Sequence, residues 1–201
     1  MKFLKNYIEK KKKESLWSKI TDVLMILLIV GLIIPTTRTP ILVFFKQITN
    51  FSPSVSAEDD YGKLNSNDYL WTLVDESGQQ VRLEQFSDKP IFINFWATWC
   101  APCLAEMPSI AELQKEFGQE VHFVFISYED FSKTIPLLRE KQWDFKTYVP
   151  ANQEPKILQS NSLPTTFIID KHGKIVVRET GNKKWSGNSV KELLRELIKQ
   201  N

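Results

Sequence analysis

The sequence predicts an α/β domain with a mixed central sheet, preceded by an N-terminal transmembrane helix. Three observations predict it. Strand-like and helix-like runs alternate from about residue 67 to the C-terminus. A Cys-x-x-Cys pair stands between a buried-strand run and an amphipathic run. An apolar stretch behind a cluster of lysines opens the chain.

Residues 1–19 form a basic cytoplasmic segment, with seven lysines against Glu9 and Glu14, a balance of +5. Residues 20–34, ITDVLMILLIVGLII, are apolar apart from Thr21, Asp22 and Gly31. A membrane span uses about 20 residues. This one reaches that length by borrowing Leu16 and Trp17, with Lys19 extending towards the headgroups. The competing reading is a cleaved secretory signal whose small-residue site is Val55-Ser56-Ala57. That site lies more than twenty residues past the apolar core, which favours a retained anchor. The lysines keep the N-terminus in the cytoplasm, so everything after the span is expected on the outer, periplasmic side. Residues 35–66 hold an interfacial stretch and a linker. Thr39 to Ile48 is apolar enough to lie along the interface or to lengthen the membrane segment. Residues 50–66, rich in Ser, Asn, Asp and Pro, read as a linker.

Residues 67–201 carry the domain. Tyr69–Val74 and Gln80–Leu83 flank Asp75-Glu76-Ser77-Gly78, a hairpin signal. Ile91–Trp96 is a short buried-strand run. Cys103, Met107, Ile110, Leu113 and Phe117 recur at helical spacing until Gly118. Val121–Ser127 is a second buried strand, and Phe131–Lys141 a helix in which Pro136 marks a kink or a late start. Thr165–Asp170 and Lys174–Arg178 form a hairpin around Lys171-His172-Gly173. Val190, Leu193, Leu194, Leu197 and Ile198 make one face of a last helix, where Ser189-x-x-Glu192 fits a capping box.

With 42% apolar and 25% charged residues, the composition is that of a globular chain. Beyond Lys19 there are 19 basic and 22 acidic residues, which leaves no basic face suited to nucleic acid. The two cysteines are three positions apart. A structural disulfide over so small a loop removes little unfolded-state entropy. Zinc needs two more ligands, and His122 and His172 stand alone, at a strand edge and a turn. Redox chemistry is the economical use that remains, with the disulfide itself as the only redox group. A strand precedes the motif and a helix follows it, so Cys100 sits where unpaired N–H groups and the helix dipole favour an anion. The thiolate is the reactive form of cysteine. Cys100 is therefore expected as the exposed nucleophile and Cys103, one turn on, as the resolving thiol. Pro102 suits a first helical turn.

The run Asn94-Phe95-Trp96-Ala97-Thr98-Trp99-Cys100-Ala101-Pro102-Cys103, then Glu106-Met107-Pro108, resembles thioredoxin-fold proteins, especially the extracytoplasmic TlpA/ResA branch. The resemblance runs from near Asp68 to the C-terminus and implies a thioredoxin-like fold there. It includes Leu163-Pro164-Thr165. In the family the matching proline is cis and faces the cysteine pair, and the residue before it offers backbone hydrogen bonds to the substrate chain. The resemblance thus places Trp99, Ala101, Pro102, Leu163 and Pro164 at the substrate. Cytoplasmic thioredoxin has a buried aspartate where this chain has Asn94. The TlpA/ResA branch has instead a carboxylate matching Glu106, which raises thiol pKa values and relays protons; the bland alternative is a solvated helix residue. Pro108 is expected to kink the helix. Trp96 is expected in the core, and Trp99 beside the redox pair as a partly exposed docking surface.

The function expected is dithiol–disulfide exchange on exported proteins. The resemblance implies a reductant, with apocytochromes c among the substrates (hence a place in cytochrome c maturation) and a membrane thiol protein as electron donor. An oxidase or isomerase stays open, because direction depends on reduction potential. A copper-binding chaperone has two soft thiolates in its favour, but such proteins use wider cysteine spacing and a downstream histidine. Thiol peroxidases carry Thr-x-x-Cys, whereas Ala97 stands three residues before Cys100. A redox-inert scaffold leaves two intact cysteines without a use.

Overall fold

Ile91–Phe95 is buried at every position, and a strand with no solvent face belongs in the middle of a sheet covered on both sides. The structure, a computed structural model, describes residues 16–33 and 61–200. The described residues fall into two compact units, 16–33 in one and 61–200 in the other. In the first, α1 spans Leu16–Ile33. In the second, the strands are β1 (Thr72–Val74), β2 (Gln80–Arg82), β3 (Ile91–Phe95), β4 (His122–Ile126), β5 (Thr147–Pro150), β6 (Thr165–Ile169) and β7 (Ile175–Thr180). The helices are α2 (Ala101–Phe117), α3 (Phe131–Glu140) and α4 (Asn188–Lys199). The strands form one sheet in the order β2-β1-β5-β4-β3-β6-β7. β3, β4 and β5 run parallel, and the outer pairings are antiparallel.

Side chains alternate across the sheet and so build two cores. Phe92, Phe123, Phe125 and Ile168 face one side, packed with Met107, Ile110 and Leu113 of α2 and Leu194 of α4. Ile91, Ile93, Val124, Phe167 and Ile169 face the other, under Leu64, Trp71, Leu73 and Leu83. Trp185 is wholly buried in the first core, edge-on to Phe92 with ring centroids 5.1 Å apart.

The described residues depart from several of these expectations and leave others open. No helix among the described residues is long and apolar enough to cross a membrane, so the anchor expected over 20–34 is not shown. The 18 residues of α1 rise about 27 Å, short of a hydrocarbon core of about 30 Å, and they include Lys19 and Asp22. The apolar stretch Thr39–Ile48 and Val55-Ser56-Ala57 lie outside the described residues. Residues 61–66, expected as linker, are tied to the domain at one point: Lys63 and Lys174 pair in an isolated β-bridge, Leu64 N–H donates to Gly173 O at 2.9 Å, and Leu64 is buried. Gly173 permits this because its φ is +86° and a Cβ there would meet Tyr69 Oη at 2.7 Å.

Strand β5 was not expected from the sequence, since four residues ending in Pro150 resemble a turn. It fills the gap between β1 and β4. Residues 68–70 and 83–86 form 3₁₀ turns rather than strand ends. α2 continues through Pro108 as one helix. α3 starts at Phe131, ahead of Pro136, because Asp130 caps it by accepting from Ser132 N–H. The capping box at Ser189 is not made: Gly187 is the N-cap and Ser189 lies inside the first turn.

Replacing Trp185 with Ala should cost about 3–5 kcal/mol through the cavity it leaves. Urea denaturation should show this as a lower midpoint, with Trp185→Phe losing less because the ring is kept, though its indole donor is gone.

Candidate active site

The chain leaves β3 still hydrogen-bonded to β4, through Trp96 N–H to Ile126 O at 2.9 Å. It then turns, with Cys100 N–H donating to Ala97 O at 3.1 Å, and enters α2 with Cys100 as N-cap. Cys103 N–H donates to Cys100 Sγ at 3.2 Å. A helix-terminal N–H that would otherwise lack a partner therefore points at the sulfur. The same N–H is placed to stabilise a thiolate once the pair is reduced. Cys100 and Cys103 form a disulfide, with Cα atoms 5.2 Å apart. Half-buried Ala101 and Pro102 make the first turn between them.

Cys100 is not exposed as expected. It is 3% accessible and Cys103 is fully buried, whereas Trp99 is 72% accessible. The reason is geometric: Cys103 belongs to the buried face of α2, and Cys100 is turned under to join it. Trp96 is in the core, at 1%.

The Leu163–Pro164 bond is cis. Thr165, the next residue, pairs with Phe95, so Pro164 stands at the same end of the sheet as the cysteines. Pro164 is buried and its carbonyl accepts from Gly181 N–H at 2.9 Å. Leu163 packs half-buried against both cores.

Glu106 is fully buried on α2. Its Oε1 accepts from Asn94 Nδ2 at 2.8 Å. Its Oε2 accepts from Trp185 Nε1 at 3.0 Å and Lys183 N–H at 3.2 Å. Asn94 Nδ2 also donates to Thr166 Oγ1 at 2.9 Å. Burial pushes the Glu106 carboxyl up to about 7, against the opposing pull of the Trp185, Asn94 and Lys183 donors and the Lys183 charge. A carboxyl poised near neutrality, one turn beyond Cys103, can take or give a proton at working pH.

Sequence reading did not reach four participants. Trp185, Lys183 and Thr166 gather around Glu106 from distant segments. A lone tryptophan in a Gly-Asn-Lys-Lys loop was the one available signal, since large aromatics seldom stay in water. The fourth is Glu129, whose carboxylate holds Thr98. Tyr128, next to it, is 58% accessible.

The raised Glu106 pKa carries a sign. The fold favours protonated Glu106, so that contribution is fully present below its ordinary value of 4.5 and is lost as pH rises through about 7. The loss amounts to about 3 kcal/mol. Chemical denaturation between pH 4 and pH 8 should show this decline in the parent chain, and Glu106→Gln should flatten it.

The pattern of the AhpC/TSA family matches residues 69–178. Thiol-disulfide oxidoreductase ResA of Bacillus thuringiensis subsp. konkukian is 31% identical over 134 residues, 65% of this chain and 73% of that protein. ResA of Geobacillus kaustophilus is 30% identical over 183 residues, 85% of this chain and 90% of its own length. The crystal structure of a putative thiol:disulfide interchange protein DsbE from Chlorobium tepidum superposes with a TM-score of 0.56 at 20% identity, covering 72% of this chain and 99% of that one; it supports the thioredoxin-like fold. The chain belongs to the AhpC/TSA family and, within it, to the ResA-type thiol–disulfide oxidoreductases.

Proposed function

We propose that the chain is a membrane-tethered reductant of exported protein disulfides, with Cys100 as nucleophile and Cys103 as resolving thiol. The observation that carries the thiol roles is the Cys103 N–H directed at Cys100 Sγ, on the helix that also holds buried Glu106. In the reduced enzyme, the Cys100 thiolate attacks a substrate disulfide. A Cys100–substrate disulfide forms, and the other substrate sulfur leaves as a thiolate and takes up a proton. Cys103 then loses its proton, with Glu106 in its carboxylate form as acceptor, and attacks Cys100 Sγ. The second substrate sulfur leaves as a thiolate and takes that proton from Glu106, and the Cys100–Cys103 bond is restored, so two electrons and two protons have passed to the substrate. Trp99, Ala101, Pro102, Leu163 and Pro164 are the residues proposed to hold the substrate chain.

The reductive direction has a physical basis. A charged Glu106, one helical turn from Cys103, would oppose thiolate formation, and a dithiol that is poorly stabilised is a stronger reductant. No cofactor beyond the disulfide enters this reading. A membrane protein with its own thiol pair would return the electrons, and apocytochromes c before haem attachment are the substrate class proposed from the family resemblance. The tether rests on the seven lysines before Ile20 and on Ile20, Val23, Leu24, Met25, Ile26 and Ile29 of α1, all exposed. The segment after Ile33 would supply the remaining length.

In detergent, the full chain should catalyse dithiothreitol-driven insulin reduction. Cys100→Ser should abolish it, and Cys103→Ser should accumulate mixed disulfides; an active Cys100→Ser enzyme would remove the nucleophile assignment. The pair's potential should lie nearer the thioredoxin value of about −270 mV than the oxidant value of about −120 mV, and a value at the oxidant end would reverse the direction. In membranes from expressing cells, the chain should stay in the pellet after alkaline carbonate extraction. Its release would argue against the tether.

A further inference from the structure

The turn that delivers Cys100 to the helix is anchored by a side chain from the loop after β4. Thr98 N–H donates to Glu129 Oε2 at 2.6 Å, and Thr98 Oγ1 donates to Glu129 Oε1 at 2.9 Å. One carboxylate thus holds both donors of the residue two places before the nucleophile. Ionised acceptors make hydrogen bonds about twice as strong as neutral ones, and a two-point contact also fixes orientation. Thr98 and Trp99 are the middle residues of the Ala97–Cys100 turn. Trp99 projects largely into solvent, at 72% accessible. Glu129 is itself set in place: its N–H donates to Ser127 Oγ at 3.2 Å, and Ser127 N–H donates to Tyr148 O at 3.0 Å. The turn is therefore referenced to β4 and β5 as well as to β3.

We propose that Glu129 is a positioning residue for Cys100, acting through Thr98 to hold the sulfur at the α2 N-terminus during thiol–disulfide exchange. This rests on the Cys100-nucleophile reading. Without the clamp the turn gains freedom, Cys100 Sγ spends less time on the Cys103 N–H, and its thiolate is both less stabilised and worse aimed. Glutamine has the shape to keep both contacts, with its oxygen accepting from Thr98 N–H and its amide donating to Thr98 Oγ1. Alanine keeps neither.

The experiment compares the full chain in detergent with Glu129→Ala and Glu129→Gln. Two readouts are taken: the rate of insulin reduction, and the pH dependence of alkylation of reduced Cys100 in a Cys103→Ser background. Glu129→Ala should slow exchange by about ten- to a hundredfold, the upper figure being the scale for a reacting group misplaced by about 1 Å, and should move the alkylation midpoint to higher pH. Glu129→Gln should stay within about threefold of the parent rate, with a midpoint no higher than the parent's. Other charged groups near this end of the fold, Glu106 on α2, Asp130 at the α3 N-cap, Glu154 beside Tyr128 and Lys183 after β7, are unchanged in both variants. A folded Glu129→Ala enzyme with parental rate and midpoint overturns the proposal, and so does a Gln variant as impaired as the Ala variant. If Glu129→Ala does not fold, Thr98→Ala removes the side-chain half of the clamp and should show the same changes at smaller size; its failure to do so also overturns the proposal. An inactive parent chain would instead count against the exchange reading itself.

Discussion

A carboxyl group with no contact with water holds the redox end of this domain together. Glu106 projects from α2 and takes hydrogen bonds from Asn94 in the sheet and from Lys183 and Trp185 in the loop after β7. Burying such a group is expensive unless its oxygens are satisfied. Three donors from two other segments satisfy them, and the requirement fixes where those segments lie. Ser109, one turn along, reinforces the arrangement by accepting from Trp185 N–H at 3.0 Å. The loop is thereby drawn over α2 so that the Trp185 ring enters the core. The helix in turn is held at the height where its first residues meet the end of β3.

Positioning of the cysteines follows from that placement. β3 and β4 are parallel, so both end at the same edge, and the turn out of β3 meets the loop out of β4. β6 runs antiparallel beside β3, so its beginning, at cis Pro164, reaches the same edge. Three chain segments far apart in sequence thus converge on the first turn of one helix. Such convergence at the carboxyl ends of parallel strands is where α/β sheets generally place their chemistry.

Much of this was legible in the sequence, for identifiable reasons. The buried strands Ile91–Phe95 and His122–Ile126 are runs of β-branched and aromatic residues, and α2 repeats its apolar residues every three or four positions. These local patterns are strong because both elements are fully committed to the core. The cysteine motif was legible because its position between strand and helix dictates the electrostatics of Cys100. What escaped was long-range or weakly patterned. β5 is four residues ending in proline and becomes a strand only because β1 and β4 flank it. The Glu106 partners come from residues 94, 183 and 185, and no local pattern links a carboxylate to donors nearly eighty residues away. Burial of Cys100 escaped as well, because helix position predicts charge stabilisation but says nothing about which way a sulfur turns.

That burial couples chemistry to folding. Cys103 packs with Met107, Trp96 and Ala97 in the larger core, so the oxidised and reduced sulfurs are two different sets of core atoms. By thermodynamic closure, whatever difference in folding stability separates the two states appears in full as a difference in reduction potential from that of the unfolded chain. For a two-electron couple, about 30 mV corresponds to 1.4 kcal/mol. Neighbouring apolar residues that never touch a substrate therefore help to set the driving force of the enzyme, through how closely each accommodates two separate thiols in place of one bond.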